Sequence, residues 1–304
     1  MIMSSKPIVV GTDGSEQALY AVEWAALEAV RRRLPLRIVS VPVMPSRMRA
    51  PNASPTTVAH YLRENARRAL ETAVQRAKEL VPEHTPETEL LDGPPAVALL
   101  QAAADASLLV VGAHGGSALG AMVLGSVSRY AGLHAPCPIV VARQDTMAAH
   151  GKVVVAVADS AHADDALSFA FEEAALRGAR LTAVHVVYQF PLEAYRPGPE
   201  IMLADGTVLS SAEAGAAEPP QDDGASAELA AAVAPWHEKY PQVRVRRDVV
   251  WGHPGRVLAD YSSRADLLVI GRHGHAEEGV RLGAIQHPVL AHAHSPVAII
   301  PSNH

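Results

Sequence analysis

The chain has 304 residues, room for about two domains of ordinary size, and 49% of them are hydrophobic, enough for each domain to bury a core. A net charge of −6 speaks against general nucleic-acid binding, which relies on clustered cations to displace counterions. No apolar run reaches the roughly 18 residues of a membrane span, and the N-terminus lacks the basic start and apolar stretch of a signal peptide, so a cytoplasmic protein without membrane partners is expected.

The single cysteine, Cys137, excludes an internal disulfide and fits a reducing compartment. Its neighbours Pro136 and Pro138 put it at a packed strand entrance. The densest basic run, Arg31 to Arg33, falls at the expected end of a helix and reads as a solvated terminus, where cations meet the helix dipole. His292 and His294 have no Cys or carboxylate at ligand spacing, and no metal site is expected there.

Taken in order, Pro7 to Gly11 predicts a first strand, TDGS a turn, and Ser15 the N-cap of a helix whose apolar face runs through Ala18, Leu19, Val22, Ala25, Ala26 and Ala29. Leu36 to Val41 is a second strand, and the Pro- and Ser-rich MPSRMRAPNASP a loop. A long helix from about Thr57 to Leu80, a strand near Glu89 to Leu91 and a short helix around Ala96 to Ala104 follow. Leu108 to Val111 is an apolar run of the kind a parallel strand shows when both faces are buried. It opens onto VVGAHGGSALGAMVLGSVS, after which a helix ends near His134 and Pro138 to Ala142 forms a fifth strand. Strands alternating with helices imply a parallel sheet with right-handed crossovers, and ligands in such sheets bind beyond the carboxyl ends of the strands, where strand order reverses.

The glycine-rich stretch reads as a phosphate cradle. Gly112 and Gly115 let backbone approach a ligand, and Gly125-Ser126 would present free backbone N–H groups and a hydroxyl where the dipole favours an anion. Neither a P-loop nor a Rossmann fingerprint is present; the pattern is G-x2-G-x9-G-S.

The chain also repeats itself. Val9–Val41 overlays Val154–Val186 without a gap, LLVVGAHG at Leu108 matches LLVIGRHG at Leu267, and HAPCPIVVA at His134 matches HAHSPVAII at His292. RQDTMAAHG is then a linker between domains at 1–146 and 147–304, packed as a pseudo-dimer. An insert from 188 to 224, rich in Pro, Ala, Gly and acidic residues, is either disordered or a flap over the sheet edge. The AELAAAVAPWHEKY run after it supplies the matching helix.

VVGTDGS, GPPAVALLQAAADASLLVVG, the glycine motif and GHPGRVLADYSSRADLLVIG together resemble the universal stress protein family over nearly the whole chain. The resemblance implies an α/β fold of two tandem, doubly wound, five-stranded parallel sheets. It implies ATP, with or without magnesium, as ligand: adenine and ribose near Asp13 and Val41, phosphates on Gly112, Gly115, Gly125 and Ser126, with Val127 and Ser128 close by. The role expected from it is a nucleotide-dependent stress-response module acting on a protein partner that the sequence does not name.

The second half departs from this pattern. Ala158 falls at the position of Asp13, the spacing from Gly274 to Gly283 is one residue short, and Ala284 and Gln286 stand for Ser126 and Ser128, while Gly271 is retained. The second half is expected to bind ATP poorly or not at all, unless Arg272, His273 and Arg281 compensate with charge. The first motif also lacks the cation, metal-holding carboxylate and nucleophile-orienting residue of a phosphoryl-transfer site: no Lys lies between Lys78 and Lys152, and no Asp or Glu between Asp105 and Asp145. Binding without rapid hydrolysis is expected; a slow ATPase, an adenylating enzyme and a nucleotide-free interaction module stay open, as does association of two chains.

Overall fold

The computed structural model describes residues 6–43, 54–113, 125–143, 150–158, 163–187, 200–202, 208–210, 223–272 and 285–302. In the first half these form Ile8–Gly11 (β1), Glu16–Arg32 (α1), Leu36–Ser40 (β2), Pro55–Leu80 (α2), Glu87–Leu90 (β3), Pro95–Ala102 (α3), Leu108–Gly112 (β4), Ser126–His134 (α4) and Ile139–Ala142 (β5). The second half repeats the order as Lys152–Ala156 (β6), Asp164–Arg177 (α5), Arg180–Val187 (β7), Asp223–Lys239 (α6), Val245–Trp251 (β10), Pro254–Ser262 (α7), Leu267–Arg272 (β11), Gln286–His292 (α8) and Val297–Pro301 (β12). A two-stranded ribbon, Glu200–Met202 (β8) with Val208–Ser210 (β9), falls within the insert, which otherwise lies outside the described residues.

Local chemistry sets the element ends. Ser15 caps α1 by accepting the Ala18 N–H, and Ser54 caps α2 by accepting that of Thr57. α1 stops at Arg33 in the left-handed region (φ 55°), where α5 uses Gly178 (φ 60°).

Each half forms a parallel sheet, ordered β3-β2-β1-β4-β5 and β10-β7-β6-β11-β12. The two are not separate sheets packed face to face. β5 and β12 pair antiparallel, Val141 opposite Val297 and Ile139 opposite Ile299, and fuse them into one ten-stranded sheet with a pseudo-two-fold at Val140 and Ala298. The inner strands are apolar on both faces because both are covered, while the edge strands β3 and β10 carry charged, exposed residues. Ile8, Val10, Ile38 and Val110 pack with α1, α2, α5 and α6, while Val9, Val39, Leu109 and Val111 pack with α3, α4, α7 and α8.

A second contact between the halves joins α1 to α5 through a buried ring of charge. Arg177 donates to Glu28 (2.7 Å) and Glu173 (2.8 Å); Arg32 donates to Glu28 (2.7 Å), Glu172 (3.1 Å) and Glu173. The ring respects the repeat: Glu28 corresponds to Glu173 and Arg32 to Arg177, and each guanidinium also lies over the other half's aromatic ring, Arg32 on Phe169 and Arg177 on Trp24. Arg32 is therefore not part of a solvated terminus. It is tied into this interface, and the Arg31 to Arg33 run is corrected accordingly.

The same seam is closed at the sheet edge. Arg272, at the end of β11, donates to the Ala135 carbonyl at the C-terminus of α4 (2.7 Å), and Arg143, after β5, donates to the Leu290 carbonyl of α8. Each cation sits at the carbonyl end of the other half's last helix, where the dipole favours it. Cys137 is buried, and burial pushes its thiol up to about 11, so it is inert packing.

Candidate functional site

Strand order reverses between β1 and β4, so the crevice expected to bind ligand lies beyond the ends of those strands. Asp13 follows β1, and continuing the β1–β2 register puts Val41 level with it. The two line one concave cavity of about 390 Å³, within the range of small-molecule sites. Val41 is buried in its wall and Asp13 is exposed at its mouth.

The opposite wall comes from α2, which composition and spacing did not single out. Leu62, Asn65, Ala66 and Ala69 form a stripe one helical turn apart, and Ala66 and Ala69 are buried beneath the cavity. Small residues are needed there because α2 crosses close to the turn after β1: a Cβ on Gly14 would stand 3.1 Å from that of Ala69, and Gly14 itself is left-handed (φ 78°). Signals for this wall existed only as alanines at helical spacing, indistinguishable from an ordinary core face.

Asp13 also builds its own loop. Its carboxylate accepts the Ser15 N–H (2.9 Å), an Asx turn that leads into α1. Thr12 accepts the Gly14 N–H (3.2 Å), and the buried Ser40 hydroxyl donates to the Thr12 carbonyl (2.8 Å), fixing the end of β2 to this turn.

At the neighbouring strand end, α4 starts beside β4. Gly125 is its N-cap in extended conformation, and no side chain caps the helix. The Gly125 N–H is not free as expected from sequence: it donates to the Ala113 carbonyl (2.9 Å) and closes the glycine-rich loop at its root. The first backbone bond of the helix is from Arg129 to the Gly125 carbonyl. The N–H groups of Ser126, Val127 and Ser128 therefore point out of the first turn with no intrahelical acceptor, and none accepts them among the described residues.

Ser128 has a further task. It is buried, and its hydroxyl donates to the Gly112 carbonyl (2.6 Å), strapping the helix to the strand end. Gly112 is glycine for a related reason. A Cβ there would lie 2.7 Å from the Gln17 carbonyl oxygen, so the close approach it permits is to the backbone of α1. Gly115 lies outside the described residues, as do His273, Gly274, Arg281, Gly283 and Ala284.

The second half keeps the strap with a different side chain. Gln286 replaces Ser128 and donates to the Gly271 carbonyl (3.1 Å). Gln286 opens α8 behind Ile285, which has helical backbone angles and accepts the Val289 N–H; the counterpart of Ser126 lies outside the described residues. Ala158, in the place of Asp13, offers no carboxylate. Replacing Ser128 with alanine should leave the Gly112 carbonyl without its buried donor and lower stability by about 1–2 kcal/mol, read from denaturant midpoints; no change would show that the strap is solvated.

The universal stress protein family model matches the chain twice, over residues 4–143 and 150–301. A universal stress protein of Mycobacterium tuberculosis (strain H37Rv) is 31% identical over 300 residues, covering 96% of each chain. One from Mycolicibacterium smegmatis is 33% identical over 302 residues, again covering 96% of both. The crystal structure of a universal stress protein from Archaeoglobus fulgidus superposes with a TM-score of 0.71 at 18% identity, over 98% of this chain and 99% of that one, and shares its fold. Twofold matching of the family model and end-to-end similarity to tandem relatives establish that the chain belongs to the universal stress protein family.

Proposed function

We propose that the first half binds one adenine nucleotide, ATP in the leading case, and that the second half supports it without a competent site of its own. The observation that carries this reading is the cavity joining Asp13 and Val41 beside a helix start with three unclaimed N–H groups. Adenine and ribose would occupy the cavity over Ala66 and Ala69, with the Asp13 carboxylate accepting from ribose hydroxyls. The phosphates would cross the end of β4 to the first turn of α4, where N–H donors and the dipole stabilise negative charge. Magnesium would travel with the phosphates.

Holding ATP on backbone donors binds the nucleotide without activating a water or a hydroxyl for attack on it. The functional output is then occupancy. Bound nucleotide stabilises the first half by mass action and changes the surface around α2 and the sheet edge that a partner meets.

Gly125→Ala tests the phosphate part cleanly. The backbone at Gly125 (φ −61°, ψ 150°) is open to any residue, so the substitution introduces no left-handed strain and its methyl falls beside the phosphate path. ATP affinity should fall about tenfold, ~1.4 kcal/mol, with the thermal midpoint of the unliganded protein nearly unchanged. Unaltered affinity would remove the phosphates from this helix.

A further inference from the structure

A second cavity, about 580 Å³, lies on the other face of the sheet, between β2, β3 and α3, and the nucleotide reading does not use it. The tandem repeat supplies its own commentary on what this cavity lacks. From Gly93 to Leu108 the first half aligns without a gap on Gly252 to Leu267, which sets Ala102 against Tyr261 and Asp105 against Arg264. The strand registers set Glu89 against Asp248, since Glu89 pairs with Val39 and Asp248 with the corresponding Val184.

In the second half this place is filled. The Tyr261 hydroxyl donates to Asp248 (2.9 Å), and the Lys152 ammonium lies 5.2 Å from the ring centroid. Burial, then the bond to Asp248, pushes the phenol up to about 12, so it stays a proton donor. A ring, a carboxylate acceptor and a cation over the ring form one unit.

In the first half the acceptor remains, the ring is missing, and Pro7 stands at the position of Lys152, so a cation comes from another strand. Ala102 leaves the space open, and Glu89 stands where Asp248 does. Arg37 supplies the cation, held by Asp105 (3.0 Å) and Glu89 (3.7 Å). Its Nε is buried without a hydrogen-bond partner, so the guanidinium is not fully satisfied by the protein. We infer that the cavity between Ala102, Glu89 and Arg37 is a binding site for small phenolic compounds, whose ring takes the place that Tyr261 fills in the other half. The phenol would donate to the Glu89 carboxylate with its face toward Arg37, and the volume left over admits a substituent on the ring.

p-Cresol, the tyrosine side chain as a free molecule, is the probe. Titrated into the full chain and followed by backbone amide shifts, it should bind saturably in the millimolar range and move Glu89, Gln101, Ala102 and Asp105. 4-Methylanisole, which has no proton to donate, should bind about tenfold more weakly, as expected for a lost hydrogen bond to a charged acceptor. Ala102→Tyr should fill the cavity, raise the thermal midpoint and abolish p-cresol binding at these residues. Absence of saturable shifts, equal binding of the anisole, shifts that persist in the variant, or a lowered midpoint for Ala102→Tyr would each overturn the assignment.

Discussion

Replacing Arg177 with alanine should destabilise the protein by about 3–5 kcal/mol, the range seen when one partner of a buried ion pair is removed. Arg177 is 10% exposed and Glu28 and Glu173 are fully buried, so its loss leaves two carboxylates facing each other with Arg32 alone between them. Denaturant unfolding measures this directly, and a loss below about 1 kcal/mol would mean that water reaches the ring and screens it. The ring also carries a pH signature. Burial and the neighbouring Glu173 raise Glu28 to about 7, while Arg177 and Arg32 hold Glu173 below the usual carboxylate range against the cost of its burial. Glu28 thus binds its proton more tightly folded than unfolded. Its contribution is complete below pH 4.5 and is lost as pH rises through about 7; that of Glu173 runs the other way and is lost in acid. Facing charges are Arg31 and Arg32 on α1 and Glu172 and Arg177 on α5, with Asp266 acting on Arg177 at longer range. Glu28→Gln, which mimics the protonated acid, should remove the fall in stability between pH 4.5 and 7; an unchanged profile would place that titration elsewhere.

Gly112→Val should be the most damaging single change at the candidate site. The first added carbon alone would meet the Gln17 carbonyl oxygen at 2.7 Å and its carbon at 2.9 Å, and both belong to the backbone of α1, which cannot rotate away. Relief requires α1 to lift from β4, which disturbs the Asp13 turn and the Ser128 strap together. A loss of about 3 kcal/mol, at the upper end of overpacking costs, should be accompanied by weaker ATP binding in whatever fraction stays folded. Full stability with normal affinity would show that α1 tolerates the displacement and that the glycine serves neither purpose.

Much of the fold is written in local patterns of the chain. Strand alternation with helices, the ungapped repeat and the cap at Ser15 are local signals, and the observed elements follow them to within a few residues. The edge location of Asp13 and Gly112 followed from topology. What escaped was tertiary in origin. Arg32 looked like any helix-end cation because its partners Glu172 and Glu173 lie in the other half of the chain. The resemblance puts Ser128 close to the phosphates, and nothing in GSVS shows that its hydroxyl turns back to Gly112. The α2 wall of the cavity was hidden for the opposite reason: Ala66 and Ala69 obey the helical period so well that they look like core. The antiparallel seam at β5 and β12 left no mark, since a strand buried by a sheet neighbour and one buried by a helix share the same apolar run.

The central claim, one nucleotide held by the first half alone, is tested most directly by calorimetric titration of the full chain with ATP and magnesium, with phosphate release followed in the same sample. The account predicts one site per chain, weakened by Asp13→Ala and by Gly125→Ala alike, and negligible release over hours. Two equivalent sites would contradict the reading of Ala158 and Ala284 as losses, no binding would leave the Asp13 cavity without its nucleotide, and steady turnover would make the protein an enzyme.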